Sequence, residues 1–334
     1  MNRIPQYIVK LCMVVVLSVA CALHCHDAAA LKGKPGSLPG LTVALLPILD
    51  SLPCYVAQEE GYFADAGIDV KAIQVNSGLD RDQLMQAGAA DGMMAEMHAA
   101  ANFNRRIIQV KIVRTARRAY KDFPLFRILA APGSGITSAG DLAGRPIGIS
   151  KNNVIEYVTD RLLAARGVAE TDVRKKSVPV ITERYQLLLQ GRLDAAVLPD
   201  PLAKSAMESG AALIVDDSEY PRYSISILGF SMASLRGKPD SVRAFLTCWD
   251  RAAAALNAEP AKYRALLIKK VRLPANIRDT YAIPPYPRQG VPSRAQWDDV
   301  MTWMVGKGLL AAPIAYEESV TTEFLEPAAE AGGQ

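Results

Sequence analysis

The sequence predicts an α/β fold of two lobes facing one cleft, and three observations carry that reading. A helix-closing glycine, an aspartate three positions on and a strand ending in an acid occur twice, as Gly88, Asp91, Glu96 and as Gly191, Asp194, Asp200. The short run Pro146–Ile149 passes directly into the polar helix start Ser150-Lys151-Asn152-Asn153. In open α/β sheets, ligands bind where strands end and helices begin. The length, 334 residues, suits two lobes of ordinary domain size better than one core.

Taken in order, residues 41–46 form a continuous apolar run, expected of a strand buried on both faces. Residues 54–60 read as a helix closed by Gly61, where positive φ is needed. A strand at 70–73, a helix at 82–87 and a strand at 91–95 ending at Glu96 follow. Residues 107–113 and 126–131 are further strands, and Pro132-Gly133-Ser134-Gly135 is a turn suited to crossing into the second lobe. There the strand Pro146–Ile149, the helix 184–190 and the strand 194–198 repeat the construction, and the apolar run 225–233 returns. Residues 241–256, 263–270 and 296–307 carry helical apolar spacing, whereas the prolines of 281–287 exclude regular structure. The end of the chain reads as a loose tail.

Half of the residues are hydrophobic, 22% are charged and the net charge is +4, with Lys and Arg scattered. That balance gives no basis for a nucleic-acid partner. Residues 1–30 read as a secretory signal: Arg3 and Lys10, an apolar stretch over 11–23, then Ala28-Ala29-Ala30 as a cleavage site. Cys21 sits in a near-lipoprotein box whose leucine is one place too far away, so cleavage after Ala30 is favoured over a lipid anchor. The expected location is periplasmic. His24 and His26 fall in this leader and are set aside as metal ligands, leaving His98 as the mature chain's histidine. Of five cysteines, Cys54 and Cys248 lie beyond the leader; they could pair in an oxidising compartment or be buried singles.

The candidate contacts follow from strand ends. Ser150, Asn152 and Asn153 head the second lobe's helix; Asn153 and Glu156 have the spacing of a capping box, which still leaves helix N–H groups for a ligand. Asp50 and Ser51 follow the first strand, as helix caps or ligand contacts. Glu96 and Asp200 close strands, and His98 follows Glu96 as a cap, a core partner or a contact. Asp91 and Asp194 lie earlier and read as structural. Three acids around one cleft want a cationic or hydrogen-bond-donating partner, which points to an amine-bearing or aminated-ring ligand.

The run Tyr55-Val-Ala-Gln-Glu-Glu-Gly61-Tyr62-Phe63 with Gly67-Ile68-Asp69-Val70 resembles the opening of ABC-transporter substrate-binding proteins for sulfonates, taurine, nitrate and thiamine-pyrimidine precursors. The run from Ile136 through Asp141-Leu142 and Gly144 to Gly148 resembles the start of their second lobe, and Asp194-Ala195-Ala196 with Asp200-Pro201 resembles a third motif. The resemblance covers nearly all of residues 41–310, and among the ligands it implies, taurine-like compounds and aminopyrimidines suit the three acids, whereas nitrate does not. It implies the type II periplasmic-binding-protein fold, with mostly parallel sheets flanked by helices and two hinge strands. The lobes are expected at 31–130 with 226–326, and at 131–225, before a tail at 327–334. It further implies a monomer without a cofactor, whose partners are a small-molecule ligand and an inner-membrane permease. Relatives that synthesise a pyrimidine keep an enzyme on the same fold open, and a periplasmic ligand sensor is a third reading. One histidine and the lack of a metal-spaced Cys/His cluster, a G-x-S-x-G or a Walker-type loop speak against catalysis.

Overall fold

A computed structural model of the chain describes residues 37–325; the expected leader with Cys21, His24 and His26, and the tail at 327–334, lie outside the described residues. From β1 onward the chain forms β1 (Leu38–Leu45), α1 (Leu52–Glu59), α2 (Tyr62–Asp65), β2 (Ile68–Gln74), α3 (Gly78–Gln86), β3 (Gly92–Glu96), α4 (Met97–Asn104) and β4 (Val110–Arg118). There follow β5 (Phe126–Ala130), β6 (Pro146–Ile149), α5 (Val154–Ala165), β7 (Arg174–Ser177), α6 (Ile181–Leu189), β8 (Ala195–Pro199), α7 (Leu202–Glu208) and β9 (Ala212–Asp216). The remainder is β10 (Ile225–Ser231), α8 (Met232–Gly237), α9 (Pro239–Ala258), α10 (Arg264–Val271), α11 (Arg294–Gly306) and α12 (Tyr316–Ser319).

Two mixed five-stranded sheets result, in the orders β2-β1-β3-β10-β4 and β7-β6-β8-β5-β9. In each, three strands are parallel, and a strand of opposite sense (β10 or β5) joins them to the remaining edge strand. The apolar runs explain the centres: β3 and β8 are buried on both faces over most of their length and β1 over its C-terminal end at Val43, Ala44 and Leu45, as helix-covered sheets require. α9 buries Val242, Phe245, Leu246, Trp249, Ala253 and Leu256, one stripe at helical spacing. Gly61 has φ +73°, the left-handed turn expected after α1. β7, mostly exposed, and β9, partly buried, are the edges of the second sheet and are strands the sequence reading does not include.

The first crossing point differs from the sequence expectation. β5 pairs with β8 and β9, so the chain passes into the second sheet at 119–125, ahead of the turn at 132–135. It returns at 217–224, and the buried Asp217 carboxylate accepts the Leu125 and Phe126 N–H groups at 2.9 and 3.0 Å, tying the two crossings together. Residue 126 begins a strand either way; its sheet is set by partners some seventy residues downstream, which local pattern does not encode. A single buried cluster runs from the first sheet through α4, α5 and α11 to the second.

Gly92 of β3 sits opposite Phe230 of β10, and a β-carbon there would lie 2.6 Å from the ring. The Phe230 side chain is fully buried, so it has little room to retreat. Gly92→Ala is expected to cost about 1–3 kcal/mol of stability by overpacking. A lowered urea midpoint with an unchanged slope is the expected reading.

Candidate functional site

A cavity of about 270 Å³ opens between the sheets, at the lower edge of the ~300–1,000 Å³ range of small-molecule pockets. The first lobe supplies Asp50 after β1, Glu96 at the end of β3, His98 and Asn102 on one face of α4, and Ser226 of β10. The second supplies Ser150, Asn152 and Asn153 between β6 and α5, with Ile181 and Arg184 on one face of α6. Of the eight sequence-predicted contacts, six meet here. Ser51 and Asp200 are not among the lining residues: the Ser51 hydroxyl donates to the Leu46 carbonyl at 2.8 Å, closing the turn after β1.

The β6–α5 turn is built much as its residues suggest. Asn153 Oδ1 accepts the Ile155 N–H at 3.0 Å and so caps α5. Glu156 reaches back to the Asn152 N–H at 2.7 Å, one residue beyond the capping-box partner. The reason is backbone: Asn152 has φ +61°, which turns its N–H toward the helix and is a conformation asparagine tolerates. Asp91 is structural, accepting the Thr42 N–H at 2.8 Å and pairing with Lys238 at 2.8 Å.

The acids that sequence reading left unpaired all have arginine partners. Asp50 pairs with Arg117 at 3.2 Å and Glu96 with Arg81 at 3.3 Å; Arg81 also holds Asp82 at 2.9 Å. Asp200 pairs with Arg127 and accepts the Tyr281 hydroxyl at 3.1 Å. Burial raises the Glu96 carboxyl above its ordinary value against the pull of Arg81. The expectation that these acids await a cationic ligand therefore loses its basis, because each charge is already compensated inside the protein.

What remains unsatisfied is different. Both ring nitrogens of His98, the Arg184 Nη2 and the Ser226 hydroxyl are buried without a hydrogen-bond partner among the described residues, and all three residues line the cavity. His98 packs against Tyr157 and Trp303, with ring centroids 4.8 and 5.4 Å away, and burial lowers its pKa to about 3, so the ring is neutral near pH 7. Arg184 is fixed by two carbonyls, Val197 at 2.7 Å from Nε and Val178 at 2.6 Å from Nη1. Burial lowers it to about 10, still protonated at neutral pH. Gly148 makes room for it, since a β-carbon there would lie 3.3 Å from the Arg184 Cγ.

Behind His98 a polar strap joins α5 to α11. Tyr157 donates to Asp299 at 2.5 Å, Arg161 pairs with Asp299 at 2.9 Å, and the Trp303 indole N–H donates to Asp160 at 2.9 Å. Glu156, Asp160 and Glu170 converge closely enough to resemble a metal site. The ammonium groups of Lys175 and Lys307 already serve them, with Lys175 at 3.2, 2.5 and 2.8 Å from the three acids. The cluster is thus a salt-bridge network. Cys54 and Cys248 are free buried thiols; burial pushes Cys54 up to about 12, and Cys248 donates to the Tyr62 carbonyl at 3.2 Å. Among the described residues, no helix is long and apolar enough to cross a membrane.

Comparison with known proteins agrees with this architecture. The family model described as NMT1/THI5 like matches residues 49–263, and the chain belongs to that family. It is 25% identical over 351 aligned positions to the riboflavin-binding protein RibY of Chloroflexus aurantiacus, covering 94% of this chain and 95% of that one. It is 36% identical over 99 residues to 4-amino-5-hydroxymethyl-2-methylpyrimidine phosphate synthase of Uromyces fabae, an alignment spanning 29% of this chain and only 28% of that protein. Among solved structures, the periplasmic aliphatic sulphonate binding protein SsuA from Escherichia coli superposes with a TM-score of 0.73 at 17% identity, covering 90% of this chain and 96% of that one. The fold is the periplasmic-binding-protein fold.

The neutral histidine has a consequence for acid stability. An ordinary histidine protonates near pH 6.5, the buried one only near 3, so the unfolded chain takes up a proton over that interval and the folded chain does not. The stability this confers is complete above pH 6.5 and drains away as pH falls toward 3. His98→Gln should therefore lose less unfolding free energy than the unsubstituted chain between pH 7 and pH 4, measured by urea titration at each pH; parallel declines would contradict a neutral His98.

Proposed function

We propose that this NMT1/THI5-like chain is an extracytoplasmic solute-binding protein that captures a small polar organic molecule between its lobes and delivers it to an ABC-transporter permease. Its expected setting is the periplasm, reached by the leader at 1–30, and its expected state is a monomer whose lobes close on the ligand. The observation that carries the reading is the set of buried, unsatisfied polar groups on His98, Arg184 and Ser226, contributed by both lobes to one cavity. Buried polar groups without partners are costly, and a ligand that pairs with them relieves that cost only in the liganded form. The named relatives support a small-molecule ligand: a sulphonate-binding protein, a riboflavin-binding protein and a pyrimidine phosphate synthase.

The synthase keeps catalysis as the second reading. Against it stand the inert environments of the thiols, both buried and both raised above ordinary values, and a His98 ring with no carboxylate to orient it among the described residues.

The test uses residues 31–334 and thermal unfolding against taurine, alkanesulfonates, nitrate, aminopyrimidines, flavins and amino acids. A ligand at a hundred times its dissociation constant adds about 2.7 kcal/mol. In a chain this size that is a rise of several degrees. One selective stabiliser is the expected outcome. Slow appearance of product in those mixtures, without stabilisation, would favour the enzyme.

A further inference from the structure

We infer that Arg184 is the charge anchor of the cleft and that the ligand is a small organic oxyanion, with a carboxylate, sulfonate or phosphate meeting the free Nη2 of that side chain. The inference rests on the solute-binding reading and deepens it by naming the ligand class. Among the described residues, three carboxylates (Asp50, Asp82, Glu96) and four cations (Arg81, Arg117, Lys151, Arg184) line the cavity. Arg81 and Arg117 are taken by those carboxylates, and Lys151 is exposed at the rim. Arg184 is the one that is buried and pairs with no carboxylate among the described residues; its two contacts are neutral carbonyls.

A guanidinium in that position is costly to bury unless something completes it. Its fork is pre-oriented, with Nε and Nη1 spent on the backbone and Nη2 left over, so little side-chain freedom is lost when an oxyanion arrives. α6 reinforces the site, because Arg184 shares a face with Ile181 in the first turn, and that helix start has no side-chain cap. The remainder of the lining tells an organic anion from an inorganic one. Leu46, Ile48, Phe126, Ile155, Ile181 and Ile225 offer an apolar body its surface, and the neutral His98 with Ser226 offers uncharged hydrogen bonds at the opposite wall. Of the two ligand types suggested by sequence, a taurine-like sulfonate fits this arrangement, and an aminopyrimidine fits once it carries an acidic group.

The test measures binding of hexanesulfonate, hexanoate, hexanesulfonamide, hexylamine and inorganic sulfate by calorimetry, to the unsubstituted chain and to Arg184→Gln. The two organic anions should bind the unsubstituted chain at least tenfold more tightly than the sulfonamide, the amine or sulfate. In R184Q their affinity should fall ~10- to 100-fold, the value of a charged hydrogen bond. If R184Q does not fold, the charge preference of the unsubstituted chain still decides. Equal or better binding of the amine or the sulfonamide would overturn the inference and leave the solute-binding reading standing, as would undiminished anion binding by a folded R184Q. Sulfate binding as tightly as hexanesulfonate would overturn the organic half. No binding by any probe would overturn the inference and withdraw its support from the cleft itself.

Discussion

Pairing of buried charge governs this protein. Moving an ion out of water costs several kcal/mol, and the interior returns that only through a close, hydrogen-bonded partner. Two arginines bracket the first crossing between the sheets, Arg117 near the end of β4 and Arg127 near the start of β5, and each holds an acid that ends a turn or strand elsewhere. Asp217 then fastens the first crossing to the second through two backbone N–H groups. The acids at the strand ends are therefore parts of the frame, and the cavity inherits its character from what the frame leaves unpaired.

Much of the fold is legible in the chain because its signals are local. The glycines that close α1, α3 and α6 need positive φ, and apolar runs such as β1 and β8 announce helix-covered strands. The β6–α5 turn was readable to the level of the asparagine that caps it. The site was legible only in part, and the reason is distance along the chain. Arg117 meets Asp50 across 67 residues, and nothing near either marks the pair. Arg184 sits in a helix of mixed composition, where an arginine ordinarily faces water; Gly148, which gives its stem room, lies in another strand. A reading from spacing alone found the acids and missed their partners, and so inverted the sign of the free charge.

Strand partners in the second sheet also decide where the crossing falls. Phe126 to Ala130 has the pattern of a buried strand and could complete either sheet; its antiparallel ladder to β8 and β9 assigns it to the second. The boundary between lobes is thus a property of pairing, not of the glycine- and proline-rich turn that follows.

One feature behind the cavity bears on mechanics. α11 packs on α4 of the first lobe and is bound to α5 of the second by Asp299, Trp303 and Lys307. Sliding these helices apart would separate several charged pairs at once and pull the tilted Tyr157 and edge-on Trp303 rings from His98. If the lobes move as proposed, the inexpensive motion would be a pivot about that contact, with travel increasing with distance from it. In that motion the strap would act as the bearing of a lever, and the cleft would open most at the rim farthest from α11.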